Sequence, residues 1–158
     1  MRTFTTYLPD EAATIAFGSS LARCLAPGLL VYLHGDLGAG KTALTRALLH
    51  AGGYVGSVKS PTYALVEHYR LPSALQVVHF DLYRMGSPEE FLDAGLAEEF
   101  NGENICIVEW PEQGAGILPQ PDWRIYLSVR DDGREVELQA CSTQGELCLS
   151  RLHFAPNL

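Results

Sequence analysis

Gly35-Asp36-Leu37-Gly38-Ala39-Gly40-Lys41-Thr42 fits the pattern G-x-x-x-x-G-K-[ST] at every specified position. A backbone loop can wrap an oligophosphate with N–H donors only where no Cβ intrudes. Gly38 and Gly40 meet that need, and Gly35 allows the turn out of a preceding strand. A helix that follows such a loop aims its N-terminal N–H groups and positive dipole end at the same phosphates. In this pattern Lys41 reaches the β- and γ-phosphates, and Thr42 offers a hydroxyl to Mg²⁺. The flanks agree. Leu29-Leu30-Val31-Tyr32-Leu33 is a continuous apolar run, as in a strand buried on both faces. Leu44, Leu48 and Ala51 then repeat at helical spacing until Gly52-Gly53 ends the helix.

Outward from this loop, Thr3 to Leu8 reads as a short strand. Asp10 is a candidate N-cap for a helix running to Leu25, with Ala12, Ile15, Ala16, Ser19 and Ala22 near one face. Thr62 to Tyr69 and Gln76 to Leu82 read as strands. Ser87-Pro88-Glu89-Glu90 is a capping box with proline at the first helical position. Ile105 to Val108 is a second buried strand, and Trp110 to Pro121 a loop. The rest is β-like: Trp123 to Val129, a turn at Asp131-Asp132-Gly133, Glu135 to Ala140, then Leu147 to Leu152. This order predicts an α/β protein: a P-loop NTPase-like three-layer fold with a mixed sheet and a β-rich C-terminal part. Residues 1–158 are expected to form a single domain.

Composition narrows the function. Eleven Lys and Arg face 19 Asp and Glu, a net charge of −8. So acidic a chain is a poor stand-alone binder of nucleic acid or anionic membrane. Its apolar runs fall far short of the roughly 18 residues a membrane span needs. Cys24, Cys106, Cys141 and Cys148 form no CxxC pair, and no zinc spacing occurs. They read as reduced thiols, hence a cytoplasmic protein. Only two lysines occur, Lys41 and Lys59.

A phosphate-bound Mg²⁺ needs a nearby carboxylate, and in P-loop proteins that acid ends an apolar strand beside the loop. Glu109 and Asp81 both qualify. Glu109 follows the purer apolar strand and is the first metal candidate; Asp81 can orient or deprotonate an attacking water, or hold a metal water. Thr62, in Lys59-Ser60-Pro61-Thr62-Tyr63, can sense a γ-phosphate through Mg²⁺ as switch segments do. Trp110 reads either as core or as a lid beside the phosphates. His34 and His79 read as packed histidines, and Arg84 as a partner of phosphate or of local acids. Neither N-K-x-D nor D-x-x-G occurs, which favours ATP over GTP.

Four blocks together resemble one family. They are the loop 35–42, then Val58-Lys59-Ser60-Pro61-Thr62-Tyr63-Ala64-Leu65-Val66-Glu67, then His79-Phe80-Asp81-Leu82-Tyr83-Arg84, then Val108-Glu109-Trp110-Pro111. In this order and spacing they are similar to the TsaE (YjeE) family, the bacterial ATPase of tRNA threonylcarbamoyladenosine biosynthesis. The resemblance runs from about Tyr7 to Leu152. It implies slow Mg²⁺-dependent ATP hydrolysis by the chain alone. It also implies work with two partners, TsaB and TsaD, which carry out threonylcarbamoyl transfer to adenosine 37 of tRNAs reading A-starting codons. Hydrolysis then resets the complex between turnovers, and tRNA is met through the complex. By the same resemblance, residues 35–42 hold the phosphates, with Gly35, Asp36, Leu37, Gly38, Ala39 and Gly40 around them. Lys41 and Thr42 contact phosphate and metal, Glu109 serves Mg²⁺, and Asp81 and Thr62 support hydrolysis. Trp110 lies near the nucleotide, with Asp10 and Gly133 flanking the adenine. Two other readings stay open: a small-molecule kinase, and a nucleotide-dependent switch that does not hydrolyse.

Overall fold

The computed structural model describes residues 2–154; residues 1 and 155–158 of the expected domain lie outside the described residues. The strands are β1 (Thr3–Leu8), β2 (Leu30–His34), β3 (Val66–Arg70), β4 (Gln76–Asp81), β5 (Ile105–Glu109), β6 (Trp123–Arg130) and β7 (Gly133–Ala140). They form one sheet in the order β1-β7-β6-β2-β5-β4-β3. The four central strands, β6, β2, β5 and β4, run parallel. At the margins β1, β7 and β3 are antiparallel to their neighbours. The sheet is therefore mixed, as the sequence predicts. The helices are α1 (Glu11–Ala22), α2 (Lys41–Ala51), α3 (Pro88–Asp93) and α4 (Thr143–Leu149).

Central strand β2 shows why its apolar run is continuous. Val31 and Leu33 pack with Phe17 and Leu21 of α1 and with Leu44 and Leu48 of α2. Leu30 and Tyr32 point the other way, onto Val78 and Phe80 of β4 and Phe91 of α3. Alternate side chains thus enter two separate cores, which gives the three layers. Helices α1 and α2 lie against each other. A Cβ on Gly18 would fall 2.5 Å from that of Ala47, so the glycine sets their close approach.

Several local expectations need correction. The buried residues of α1 are Phe17, Gly18, Ser20 and Leu21, while Ile15 is exposed. The face expected from Ala12, Ile15, Ala16, Ser19 and Ala22 loses because the α1–α2 contact runs along Gly18 rather than along the alanines. The helix ends at Ala22, not Leu25. On α2, Leu44 and Leu48 are buried as expected, but Ala51 is exposed. The strand expected from Thr62 begins only at Val66. Residues 62–64 form a turn, closed by the Leu65 N–H donating to the Pro61 carbonyl at 2.8 Å.

At α3, Ser87 is the N-cap but makes no side-chain capping bond. Glu90 instead accepts from the Gly86 N–H at 3.1 Å, one residue outside the expected box. The segment expected as a last strand, Leu147 to Leu152, is instead the last turn of helix α4, through Leu149, and the turn that follows it. Ser142 caps it by accepting from the Gly145 N–H at 2.9 Å. Leu147 is exposed while its neighbours Cys148 and Leu149 are buried, a helical pattern and not an alternating one.

Gly145 locks this helix to the sheet. Its carbonyl accepts from the Trp123 indole N–H at 2.8 Å, and a Cβ there would meet the Asp122 carbonyl oxygen at 2.1 Å. Gly145→Ala is therefore expected to lower the free energy of unfolding in urea by about 1–3 kcal/mol, the usual cost of overpacking. A change within about 0.5 kcal/mol, as at an ordinary surface position, would contradict this packing.

Candidate functional site

The parallel strands β2, β4 and β5 end together, at His34, Asp81 and Glu109. Loop 35–40 leaves β2 and delivers Lys41 to the first turn of α2. Gly40, the N-cap, takes φ 103°, a left-handed backbone that suits glycine. A Cβ on Gly35 would lie 2.7 Å from the Leu127 carbonyl oxygen of β6, so the loop can pass there only as glycine. Arg134, from β7, clamps the loop from outside. Its Nε donates to the Ala39 carbonyl at 2.9 Å and its Nη2 to the Gly38 carbonyl at 3.3 Å. A planar trans peptide directs its N–H opposite its carbonyl, so the clamp turns the Gly40 N–H away from Arg134.

A cleft of about 410 Å³ opens over this loop. Leu37, Gly38, Gly40, Lys41, Thr42, Thr62, Asp81, Glu109 and Trp110 all line it, joined by Ser60, Tyr83 and Arg84. A neighbouring cleft of about 280 Å³ shares Gly40 and Ala43 and is lined by Ala39, Asp10, Gly133 and Arg134. Gly35 and Asp36 line neither cleft. Their carbonyls serve the loop itself: Gly35 accepts from the Lys41 ammonium, and Asp36 from the Ala39 N–H at 3.0 Å.

Lys41 is buried, and its Nζ lies 3.9 Å from the centre of the Trp110 ring. Burial pushes its pKa below the ordinary lysine value; the Glu109 and Asp81 carboxylates oppose that shift without cancelling it. Trp110 holds a left-handed backbone (φ 58°) immediately after β5. That turn places its ring over the ammonium and 5.0 Å from the Tyr83 ring. The indole is half-buried on the second core and faces the cleft as well.

The two strand-end acids are held differently. Asp81 Oδ2 accepts from the Ser60 hydroxyl at 3.0 Å and the Thr62 hydroxyl at 3.2 Å, and Oδ1 accepts from the Tyr83 N–H at 3.0 Å. The loop carrying Thr62 is thereby tied to the end of β4. Glu109 is paired with the ring of His79, whose Nε2 lies 2.6 Å from Glu109 Oε2. Both side chains of that pair are buried.

The remaining polar residues stand clear of the cleft or at its rim. His34 stacks on Tyr126, with ring centres 4.6 Å apart, and lies 3.2 Å from Arg124 Nη1. Burial first, then the Arg124 charge, lowers its pKa. Arg84 at the rim rests over the Tyr63 ring at 4.6 Å. The Lys59 side chain is exposed and absent from the cleft wall.

Thr42, Asp81 and Glu109 supply hard oxygen donors, the chemistry that suits Mg²⁺. Among the described residues no group of three His, Cys, Asp or Glu could hold a metal by itself. That donor set fits a cation that keeps waters and shares its shell with phosphate. The described thiols are free. Burial pushes Cys24 up to about 11 and Cys106 to about 12, out of reach of thiolate chemistry. Among the described residues no helix is long and apolar enough to cross a membrane.

Comparison with known proteins matches residues 8–136 to the model of the threonylcarbamoyl adenosine biosynthesis protein TsaE. The chain belongs to the TsaE family. It is 44% identical to the tRNA threonylcarbamoyladenosine biosynthesis protein TsaE of Haemophilus influenzae over 155 residues, 95% of this chain and 98% of that one. To the TsaE of Bacillus subtilis it is 34% identical over 151 residues, 95% and 92% of the two chains. Its fold matches the crystal structure of Bacillus subtilis YdiB with a TM-score of 0.79 at 30% identity, covering 95% of this chain and 94% of that one.

Within this TsaE-family chain, sequence reasoning overlooked Ser60 and Tyr83 as holders of Asp81, and Arg134 as the clamp. Arg134 stands 95 residues from its Ala39 contact, beyond any local motif.

The lowered pKa of Lys41 has a consequence for stability. The unfolded chain binds that proton more tightly than the folded one, so stability contributed by this group rises as pH climbs through the folded-state value. At neutral pH the buried ammonium burdens the fold. Lys41→Met is expected to unfold in urea at a free energy equal to or above that of the native chain. A loss of more than about 1 kcal/mol would show that the ammonium serves stability instead.

Proposed function

We propose that this chain binds ATP with Mg²⁺ in the cleft over loop 35–42 and hydrolyses it, in the service of tRNA threonylcarbamoyladenosine biosynthesis. The supporting observation is the convergence of Lys41, Thr42, Asp81 and Glu109 on one cleft at the start of α2. In this reading Gly38 and Gly40 leave room for backbone N–H contact with the phosphates, and Lys41 bonds the β- and γ-oxygens. Thr42 and Glu109 hold the cation. When bound, Mg²⁺ would neutralise charge that develops on the phosphates. Asp81, its carboxylate fixed by Ser60, Thr62 and the Tyr83 N–H, orients the attacking water. Thr62 couples the state of its loop to that acid. Positioning of this kind supplies most of the catalysis in phosphoryl transfer. In the same reading the neighbouring cleft, between Asp10 and Gly133, takes the adenine; it has Gly40 and Ala43 in common with the phosphate cleft.

Water is the favoured acceptor. Arg124, Arg130 and Arg134 of the C-terminal part engage His34, Glu135 and the loop carbonyls, which leaves them poor lid residues for a kinase. Family membership is the ground for placing TsaB and TsaD as partners in the cytoplasm. A net charge of −8 supports tRNA being met through those partners and not by this chain directly.

ATP turnover by the chain alone, then with TsaB, TsaD and tRNA, tests the proposal. Slow lone hydrolysis and a clear rise with the partners are expected. Asp81→Asn should keep ATP binding and lose about 100-fold or more in turnover. An unchanged rate with the partners present would contradict the partnership. Phosphate passed to a metabolite in preference to water would favour a kinase. Full partner control by Asp81→Asn would favour a switch without hydrolysis.

A further inference from the structure

We infer that His79 is a positioning residue, set beneath the cleft to fix the Glu109 carboxylate for the divalent cation. The inference rests on the proposed role of Glu109 at the metal. Val77, His79 and Asp81 alternate onto one face of β4. Their partners in β5 are Ile105, Ile107 and Glu109. Val77, Ile105 and Ile107 belong to the apolar core shared with α1 and α2. His79 thus occupies an apolar position, is fully buried, and directs its ring at a carboxylate on the next strand.

Its hydrogen bonding gives the reason. An ionised Glu109 can only accept, so His79 Nε2 donates across the 2.6 Å contact. Nδ1 then has no partner among the described residues. A leucine would fill this position and leave no ring nitrogen unpaired. Core packing alone therefore does not account for a histidine here; its contact with Glu109 does. Holding Oε2 removes the rotational freedom of the carboxylate and leaves Oε1 for the cleft that Glu109 lines. Hydrogen-bonded partners behind a metal ligand orient it in this way, and their loss typically weakens metal binding about 10–100-fold.

Calorimetric titration of the full chain with ATP, in EDTA and across a MgCl₂ series, tests the inference without relying on turnover. For His79→Leu, ATP affinity in EDTA should stay within about twofold, while the half-saturating magnesium concentration rises about 10–100-fold. His79→Gln, which can place an N–H near the former Nε2, should recover magnesium dependence to within about threefold. A folded His79→Leu with native magnesium dependence overturns the inference. So does a variant weakened equally with and without magnesium, the mark of a purely structural role. Should His79→Leu fail to fold, nitrogen-labelled histidine spectra of the native chain decide. Magnesium added to the ATP-bound protein should move the His79 signal beyond the shift caused by ATP in EDTA; no movement overturns the inference. A native chain whose ATP binding ignores magnesium overturns the metal reading itself, and this inference with it.

Discussion

Lys41 sets the terms for the site around it. Its ammonium is buried at the start of α2, donating to the Gly35 carbonyl and lying under the Trp110 ring. A charge so placed is costly unless something answers it. The Glu109 and Asp81 carboxylates answer it only in part, since burial still prevails and holds the lysine pKa down. A polyanion in the cleft would complete the compensation. The loop is fitted to the same end. Its carbonyls are held by Arg134 and by Lys41 itself, so the loop's shape is set by the chain's own contacts. Such preorganisation reduces the cost of ordering on binding.

Around the lysine, the two strand-end acids are tied to different parts of the molecule. Asp81 is held by hydroxyls of the irregular 59–63 loop, in which Pro61 is buried and Thr62 half-buried. Glu109 is held by a ring inside the sheet. One acid is thus tied to a loop and the other to the sheet itself.

The loop 35–42 and the strands entering it were legible because their signal is local: glycine spacing, an apolar run, a helical repeat. The acids Asp81 and Glu109 were legible as strand-end carboxylates, and Asp10 as an N-cap that does accept from the Ala13 N–H at 2.9 Å. What escaped was set by tertiary contact. The buried face of α1 follows Gly18 against Ala47, not the alanine spacing. Helix α4 was hidden in a short apolar stretch that reads equally well as strand, and the Trp123 bond to Gly145 decides it. Arg134 reaches its partners across the fold and carries no motif of its own, and Ser60 lies inside a quoted motif whose spacing does not disclose its bond to Asp81. The assignment of Glu109 to metal and Asp81 to water was left open by sequence. The unlike partners of the two acids favour the assignment proposed above.

The central claim is that loop 35–42 is a triphosphate cradle joined to a base site between Asp10 and Gly133. A crystal structure of the chain with Mg²⁺ and a non-hydrolysable ATP analogue tests it most directly. The account predicts phosphates over loop 35–42 within reach of Lys41 Nζ, the cation against Thr42 and Glu109, and the adenine between Asp10 and Gly133. Phosphates lodged away from Lys41, or a base seated outside the Asp10–Gly133 cleft, would contradict it.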